Sequence, residues 1–129
     1  MLSSRSKGKQ YEDQALHYLL KNGLKLVARN FNSRFGEIDL IMLHLKTLCF
    51  IEVKYRNNKT QFGGASYSIP ASKQQKINKT ALCFISSNKK YQQHNLRFDA
   101  LFITPSEDLR DTSIEWIQNA FCAENTDFY

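Results

Sequence analysis

Two short strand-like runs, Gly36-Glu37-Ile38-Asp39-Leu40-Ile41 and Phe50-Ile51-Glu52-Val53-Lys54, carry acids and a lysine among apolar residues, and they constrain the fold more than any other feature of the chain. Side chains in a strand alternate between faces, so the first run predicts Glu37, Asp39 and Ile41 on one face and Ile38, Leu40 and Met42 on the other. In the second run Phe50, Glu52 and Lys54 share a face. A tight turn at Leu45-Lys46, between His44 and Thr47, would join the runs as a hairpin with Asp39 opposite Glu52 and Glu37 opposite Lys54. Opposed Cβ atoms lie about 4.5–5.5 Å apart, where two like charges are destabilising unless something compensates. A divalent cation between Asp39 and Glu52 is the simplest compensation, and Mg²⁺ is commonly held by one or two carboxylates plus water and phosphate. An exposed hairpin whose acids pair with Lys54 and Arg56 accounts for the spacing about equally well.

The distribution of charge favours the first account. Residues 1–98 hold 17 basic residues and five acids, a net of +12, whereas residues 99–129 hold Arg110 and seven acids, a net of −6. Three of the five acids in the basic part are Glu37, Asp39 and Glu52. Basic surface around a small acidic centre suits a protein that handles phosphodiesters, because Lys and Arg hold the backbone while carboxylates hold a metal. A merely solvated basic surface would show the same excess.

With 129 residues, 42% hydrophobic and 23% charged, the chain is expected to form one globular domain, with a core over about residues 8–103 and an acidic C-terminal extension over 104–129. Cys49, Cys83 and Cys122 are odd in number and far apart, which argues against a disulfide framework or a zinc site. His17, His44 and His94 show no ligand spacing. No apolar run has the length of a membrane span, and the basic N-terminus lacks the apolar core of a signal peptide, so a cytoplasmic protein is expected.

Residues Ser6 to Asn22 read as a helix closed by Gly23, with Glu12, Ala15, Leu16 and Leu19 facing inward and Tyr11, Tyr18 and Leu20 widening that stripe. Glu12 on an apolar face calls for a partner, although acids also favour the first turns of a helix. Leu24 to Phe31 reads as a strand and Asn32 to Gly36 as a turn, giving three antiparallel strands in all. Asn57 to Gly64 reads as a loop near the acids. Ser72 followed by Gln75 is a capping-box pattern that opens a second helix, ending about Ser87, with Lys73, Ile77, Thr80, Ala81 and Phe84 on one face. Lys73 at its start is placed either to reach a phosphate near the carboxylates or to lie on the core with its ammonium in water. Asn88 to Asn95 is a polar loop, and Leu96 to Ile103 is a fourth strand in which Asp99 is expected to pair with Arg97 rather than bind metal. Ile114 to Ile117 is a short strand or helical turn that packs Trp116, and the chain from Asn119 reads as a tail.

This order of residues carries a resemblance. A helix with Glu12, then Gly36-Glu37-Ile38-Asp39-Leu40-Ile41, then Phe50-Ile51-Glu52-Val53-Lys54-Tyr55-Arg56, then Lys73, then Arg97-Phe98-Asp99, resembles the small bacterial YraN-like family. That family is similar to the PD-(D/E)xK nuclease superfamily, close to the archaeal Holliday-junction resolvases. The resemblance covers roughly residues 8–103. It implies an α/β fold with a central mixed sheet of four to five strands flanked by helices and the hairpin at its centre. It also implies that Asp39, Glu52 and the Val53 carbonyl bind Mg²⁺ or Mn²⁺, that Lys54 is the catalytic lysine, and that Glu12 orients a water or Lys54.

The function expected is therefore a metal-dependent endonuclease acting on DNA, including branched or structured DNA, with Arg56, Lys73 and Lys76 on the backbone. A non-catalytic nucleic-acid-binding module of the same fold and a nuclease acting on RNA are the alternatives. Symmetric cutting of a junction would require a homodimer, for which Phe35, Phe62 and Tyr67 are interface candidates, though they serve equally well as core.

Overall fold

The computed structural model describes residues 4–56, 69–105 and 112–121, with side chains from residue 8 onward. The elements run α1 (Ser4–Lys21), β1 (Lys25–Ser33), β2 (Gly36–His44), β3 (Thr47–Tyr55), α2 (Ala71–Ser87), β4 (Asn95–Pro105) and β5 (Thr112–Phe121), with a short 3₁₀ turn at Lys89–Tyr91. The strands form one sheet in the order β1-β2-β3-β4-β5. β1, β2 and β3 are successively antiparallel, β4 is parallel to β3, and β5 is antiparallel to β4. A parallel neighbour needs a crossover, and α2 supplies it between β3 and β4. The fold is thus α/β, a mixed five-stranded sheet with two helices, as the resemblance implied. Among the described residues no helix is long and apolar enough to cross a membrane.

Each helix covers its own cluster of buried side chains. Ala15 and Leu19 of α1 pack with Leu40, Met42, Cys49, Ile51, Leu101 and Ile103, whereas Ile77, Ala81 and Phe84 of α2 pack with Ile38, Ile41, Phe50, Phe98 and Phe102. Burying an aliphatic or aromatic side chain of this kind stabilises by about 1.5–3 kcal/mol, so strands apolar on both faces require a helix on each. Leu20, expected on the inward stripe of α1, is instead 43% exposed.

α1 ends where Gly23 takes a left-handed φ of 92°, with Leu24 N donating to Leu19 O at 3.1 Å and Gly23 N to Leu20 O at 3.1 Å. That is the Schellman pattern, which satisfies carbonyls the last turn would otherwise leave open. α2 begins two residues earlier than the capping box predicts. Pro70 is its N-cap, without a side-chain cap bond, and Ser72 lies inside the first turn. Gln74 ties the start of the helix instead, its Nε2 donating to Ile69 O at 2.7 Å.

The hairpin register is the expected one: His44 pairs with Thr47, Met42 with Cys49 and Leu40 with Ile51, around a turn in which Leu45 has φ 58°. The alternation along β2 is not. Ile38 packs with Ile41 under α2, while Leu40 and Met42 face α1. The cause is a bend: Asn30 of β1 has φ 51°, and the β1–β2 ladder passes from Arg29↔Leu40 to Phe31↔Ile38 with no pair between them. The strand therefore changes face at Asp39. Ile114–Ile117 belongs to a full strand, β5, which extends through Asn119 to Phe121. The expected loop Asn57–Gly64, Phe62, Tyr67, Cys122 and the rest of the expected tail lie outside the described residues.

Candidate active site

Asp39 and Glu52 meet where the β2–β3 ladder stops. The last pair is Leu40↔Ile51, and beyond it the Val53 N–H donates to Asp39 Oδ2 at 2.8 Å. A side-chain carboxyl here takes a backbone donor that a continuing ladder would have used. The Asp39 and Glu52 carboxyls lie close together, and Glu52 adds to what favours a proton on Asp39. Burial first, then the bond to Glu52 and its charge, push the Asp39 pKa up to about 8 against the opposing pull of the Val53 N–H. Glu52 is 6% exposed.

Two lysines stand over this pair. Lys73 Nζ, from the first turn of α2, lies 2.7 Å from Glu52 Oε2, and the oxygen otherwise has no regular hydrogen-bond partner. Lys54 is within hydrogen-bond reach of Lys73, and that neighbour, with burial second, holds its pKa below the ordinary lysine value. Burial works to lower the Lys73 pKa too, but its bonds to Glu52 and Lys54 prevail and raise it. Lys54 thus faces Asp39, Glu52 and Lys73. The expected pairing of Lys54 with Glu37 is not formed among the described residues, because the ladder that would bring them opposite ends three residues earlier. Beside the carboxyls opens a cleft of about 420 Å³ lined by Gly36, Glu37, Asp39, Glu52, Ser72, Lys73, Lys76 and Ile77.

The structure therefore gathers Asp39, Glu52, Lys54, Lys73 and Lys76, with Val53 bound to Asp39 through its backbone. It places two other expected residues apart. Glu12 lies in an adjoining open cleft that shares Glu37 with the first and is also lined by Lys9, Arg29 and Asn30, and its Oε1 is 3.5 Å from Arg29 Nη2, which also lies 2.8 Å from Asp13 Oδ1. Its charge still reaches Asp39 and helps raise that pKa. Arg56 stacks over the Phe102 ring at 4.8 Å and lies 3.8 Å from Glu115 of β5.

Asp99, expected to be structural, is fully buried and receives four bonds: Arg97 Nε and Nη2 at 2.9 and 3.0 Å, Trp116 Nε1 at 3.0 Å and Asn119 N at 2.9 Å. Its oxygens are saturated. What was not foreseen is Arg29, which holds both acids of α1, and the tie from the expected turn to α2, in which Ser33 Oγ lies 2.8 Å from Thr80 Oγ1.

Comparison with known proteins places the chain in one family. The model of the uncharacterised protein family UPF0102 matches residues 11–103. A UPF0102 protein of Stutzerimonas stutzeri is 41% identical over 121 residues, 94% of this chain and 98% of that protein. One from Psychromonas ingrahamii is 48% identical over 119 residues, 92% of each chain. One from Colwellia psychrerythraea is 42% identical over 119 residues, 92% of this chain and 91% of that protein.

Proposed function

The chain belongs to the UPF0102 family, and we propose that it is a metal-dependent nuclease that hydrolyses phosphodiester bonds in DNA. The observation that carries this reading is the pair of adjoining carboxyls, Asp39 and Glu52, under two lysines in an open cleft.

The donor set fits a hard divalent cation. A buried carboxyl held protonated beside a second carboxyl is where a dication can take the proton's place, and oxygen donors suit Mg²⁺ or Mn²⁺. Among the described residues no group of three or more His, Cys, Asp or Glu side chains converges. Two carboxylates completed by a backbone carbonyl, water and substrate phosphate meet the requirement. Asp39, Glu52 and the Val53 carbonyl would hold the ion, which when bound supplies a Lewis acid for the phosphate and a more acidic water.

The chain's own groups do the rest. The Val53 N–H fixes Asp39 Oδ2, so the carboxyl keeps one orientation while Oδ1 stays available. Lys54 orients the attacking water and offers positive charge to the phosphoryl oxygens as the P–O bond breaks. Lys73 moves between Glu52 and a substrate phosphate, and Lys76 binds the backbone beside the cleft. DNA is preferred to RNA on the resemblance to Holliday-junction resolvases.

A second reading rests on the same ion pair. The Lys73 ammonium on Glu52 is a built-in counter-ion, as a nucleic-acid-binding module that keeps the fold without turnover would have. The test is a panel of linear, flapped and four-way DNA, with matched RNA, incubated with Mn²⁺ or with chelator beside a Glu52→Ala control. Cleavage of DNA that needs Mn²⁺ and Glu52 supports the nuclease. Tight binding in chelator with no cleavage under any condition, and a metal affinity unchanged by Asp39→Ala, would overturn it.

A further inference from the structure

Among the described basic residues, four are paired with acids and two others meet on one ring. Arg29, Arg56, Lys73 and Arg97 each lie within 4 Å of an acid: Asp13, Glu115, Glu52 and Asp99 respectively. Arg34 and Lys79 are joined to no acid among the described residues, yet they converge on one aromatic ring. Arg34 Cζ lies 4.8 Å and Lys79 Nζ 5.4 Å from the centre of Phe35. Bringing two cations together costs free energy, and the ring's negative face recovers about 0.5–1 kcal/mol for each at an exposed site. An anion between them would recover more.

The platform is built to stay in place. Phe35 sits in the β1–β2 turn, its N–H donating to Ser33 Oγ at 3.0 Å, and the same hydroxyl reaches the buried Thr80 of α2 at 2.8 Å. Gly36 follows with φ 155°, and a Cβ there would lie 3.6 Å from Lys76 Cβ, so the turn closes directly on α2. Lys73 and Lys76 line the cleft and Lys79 continues the series along α2. Six residues of helix rise about 9 Å from Lys73 to Lys79. At about 3.4 Å per nucleotide along a duplex strand, that spans roughly two to three nucleotides.

We propose that Arg34 and Lys79, held by Phe35, form a second phosphate subsite that binds the nucleic-acid backbone about two to three nucleotides from the bond lying over Asp39 and Glu52. This rests on the nuclease reading for the identity of the strand, and it adds where that strand leaves the cleft. Phe35 is then an organiser of the two cations rather than a base-stacking surface or a dimer contact.

The test measures binding of fluorescently labelled DNA oligonucleotides, single-stranded and duplex, in chelator across a salt series. Arg34→Gln/Lys79→Gln is expected to weaken Kd roughly 10- to 30-fold at low salt and to lower the slope of log K against log salt by about 1.5–2. Phe35→Leu keeps an apolar residue but loses the ring, and is expected to give a smaller loss of roughly threefold. Lys25→Gln/Lys46→Gln removes the same charge from exposed sites at the other end of the β1–β2–β3 meander. If that control loses as much as the Arg34/Lys79 pair, or if the pair leaves Kd and slope unchanged, the subsite is wrong. Binding by wild type without cleavage in Mn²⁺ would sink the nuclease reading and leave the subsite standing. Cleavage that is normal in an Arg34/Lys79 variant of unchanged Kd would do the reverse.

Discussion

Burial and the adjoining Glu52 carboxyl push the Asp39 pKa up to about 8, so the folded chain keeps a proton that the unfolded chain releases near pH 4. Stability changes with pH in proportion to the protons bound by the unfolded state minus those bound by the native one. Between about pH 4 and 8 the native state holds more, so this group's contribution is full below pH 4 and is lost as pH rises through 8. Asn at position 39 can accept from the Val53 N–H and donate to Glu52 without that loss. Asp39→Asn is therefore expected to be more stable than wild type at pH 8 in chelator, by about 0.5–2 kcal/mol, with a smaller difference at pH 4. Denaturant titrations at the two pH values check this, and a variant less stable at pH 8 would show that Asp39 holds no such proton. Lys73 makes a complementary case. Its ammonium 2.7 Å from Glu52 competes with any other cation for that oxygen. Lys73→Gln is expected to bind Mn²⁺ about tenfold more tightly by calorimetry while cleaving DNA at least about tenfold more slowly. A variant with unchanged metal affinity would mean the lysine does not compete at the metal position.

At the scale of elements, one side chain clasps β5 where its ladder with β4 is interrupted. The β4–β5 register shifts between Phe98 and Ala100, Asn119 takes φ 56°, and the backbone N–H released there donates to Asp99. Asp99→Ala would leave Arg97 buried against no counter-charge and free the Trp116 indole. A loss of about 3–5 kcal/mol is expected, with a red shift of Trp116 fluorescence before global unfolding. Equal stability of variant and wild type in denaturant would refute this clasp. Asp99 also shows what the chain sequence revealed and what it concealed. Its pairing with Arg97 was legible because both lie on one face of a strand two residues apart. Its hold on Asn119 was not, because a left-handed bulge in β5 has no local signature without glycine. The hairpin register was legible from a two-residue turn alone, whereas the faces of β2 were misjudged at Ile38 because Asn30, on the neighbouring strand, bends the pair at Asp39. The same bend hid the partner of Lys54: alternation carried past the end of a ladder predicts Glu37, and the contact with Lys73 comes from a helix twenty residues away.

Across the whole molecule the sheet sorts the charge that the sequence divides into a basic and an acidic part. Asp99 and Glu115, from the acidic part, lie beside Arg97 and Arg56 on the β4–β5 side. Lys76, Lys79 and Arg34 remain without acids, among the described residues, at the β1–β2 turn and α2. The proton on Asp39 lies at the margin of that basic surface, so ion and substrate binding are linked through it. Below about pH 8 a divalent cation must displace this proton, and each unit of pH lost should weaken its binding about tenfold. A ligand at 100 times its Kd stabilises the native state by about 2.7 kcal/mol. For a chain of this size that corresponds to a rise in Tm of very roughly 10 °C. Mn²⁺ should therefore raise Tm by about that amount at pH 8, and by much less at pH 6 for the same concentration. Asp39→Asn should abolish the rise at both. A shift independent of pH, or one that survives in the variant, would place the cation elsewhere on the molecule, whereas a shift that grows with pH and vanishes with Asp39 would tie it to the bend between β1 and β2 where the two carboxyls meet.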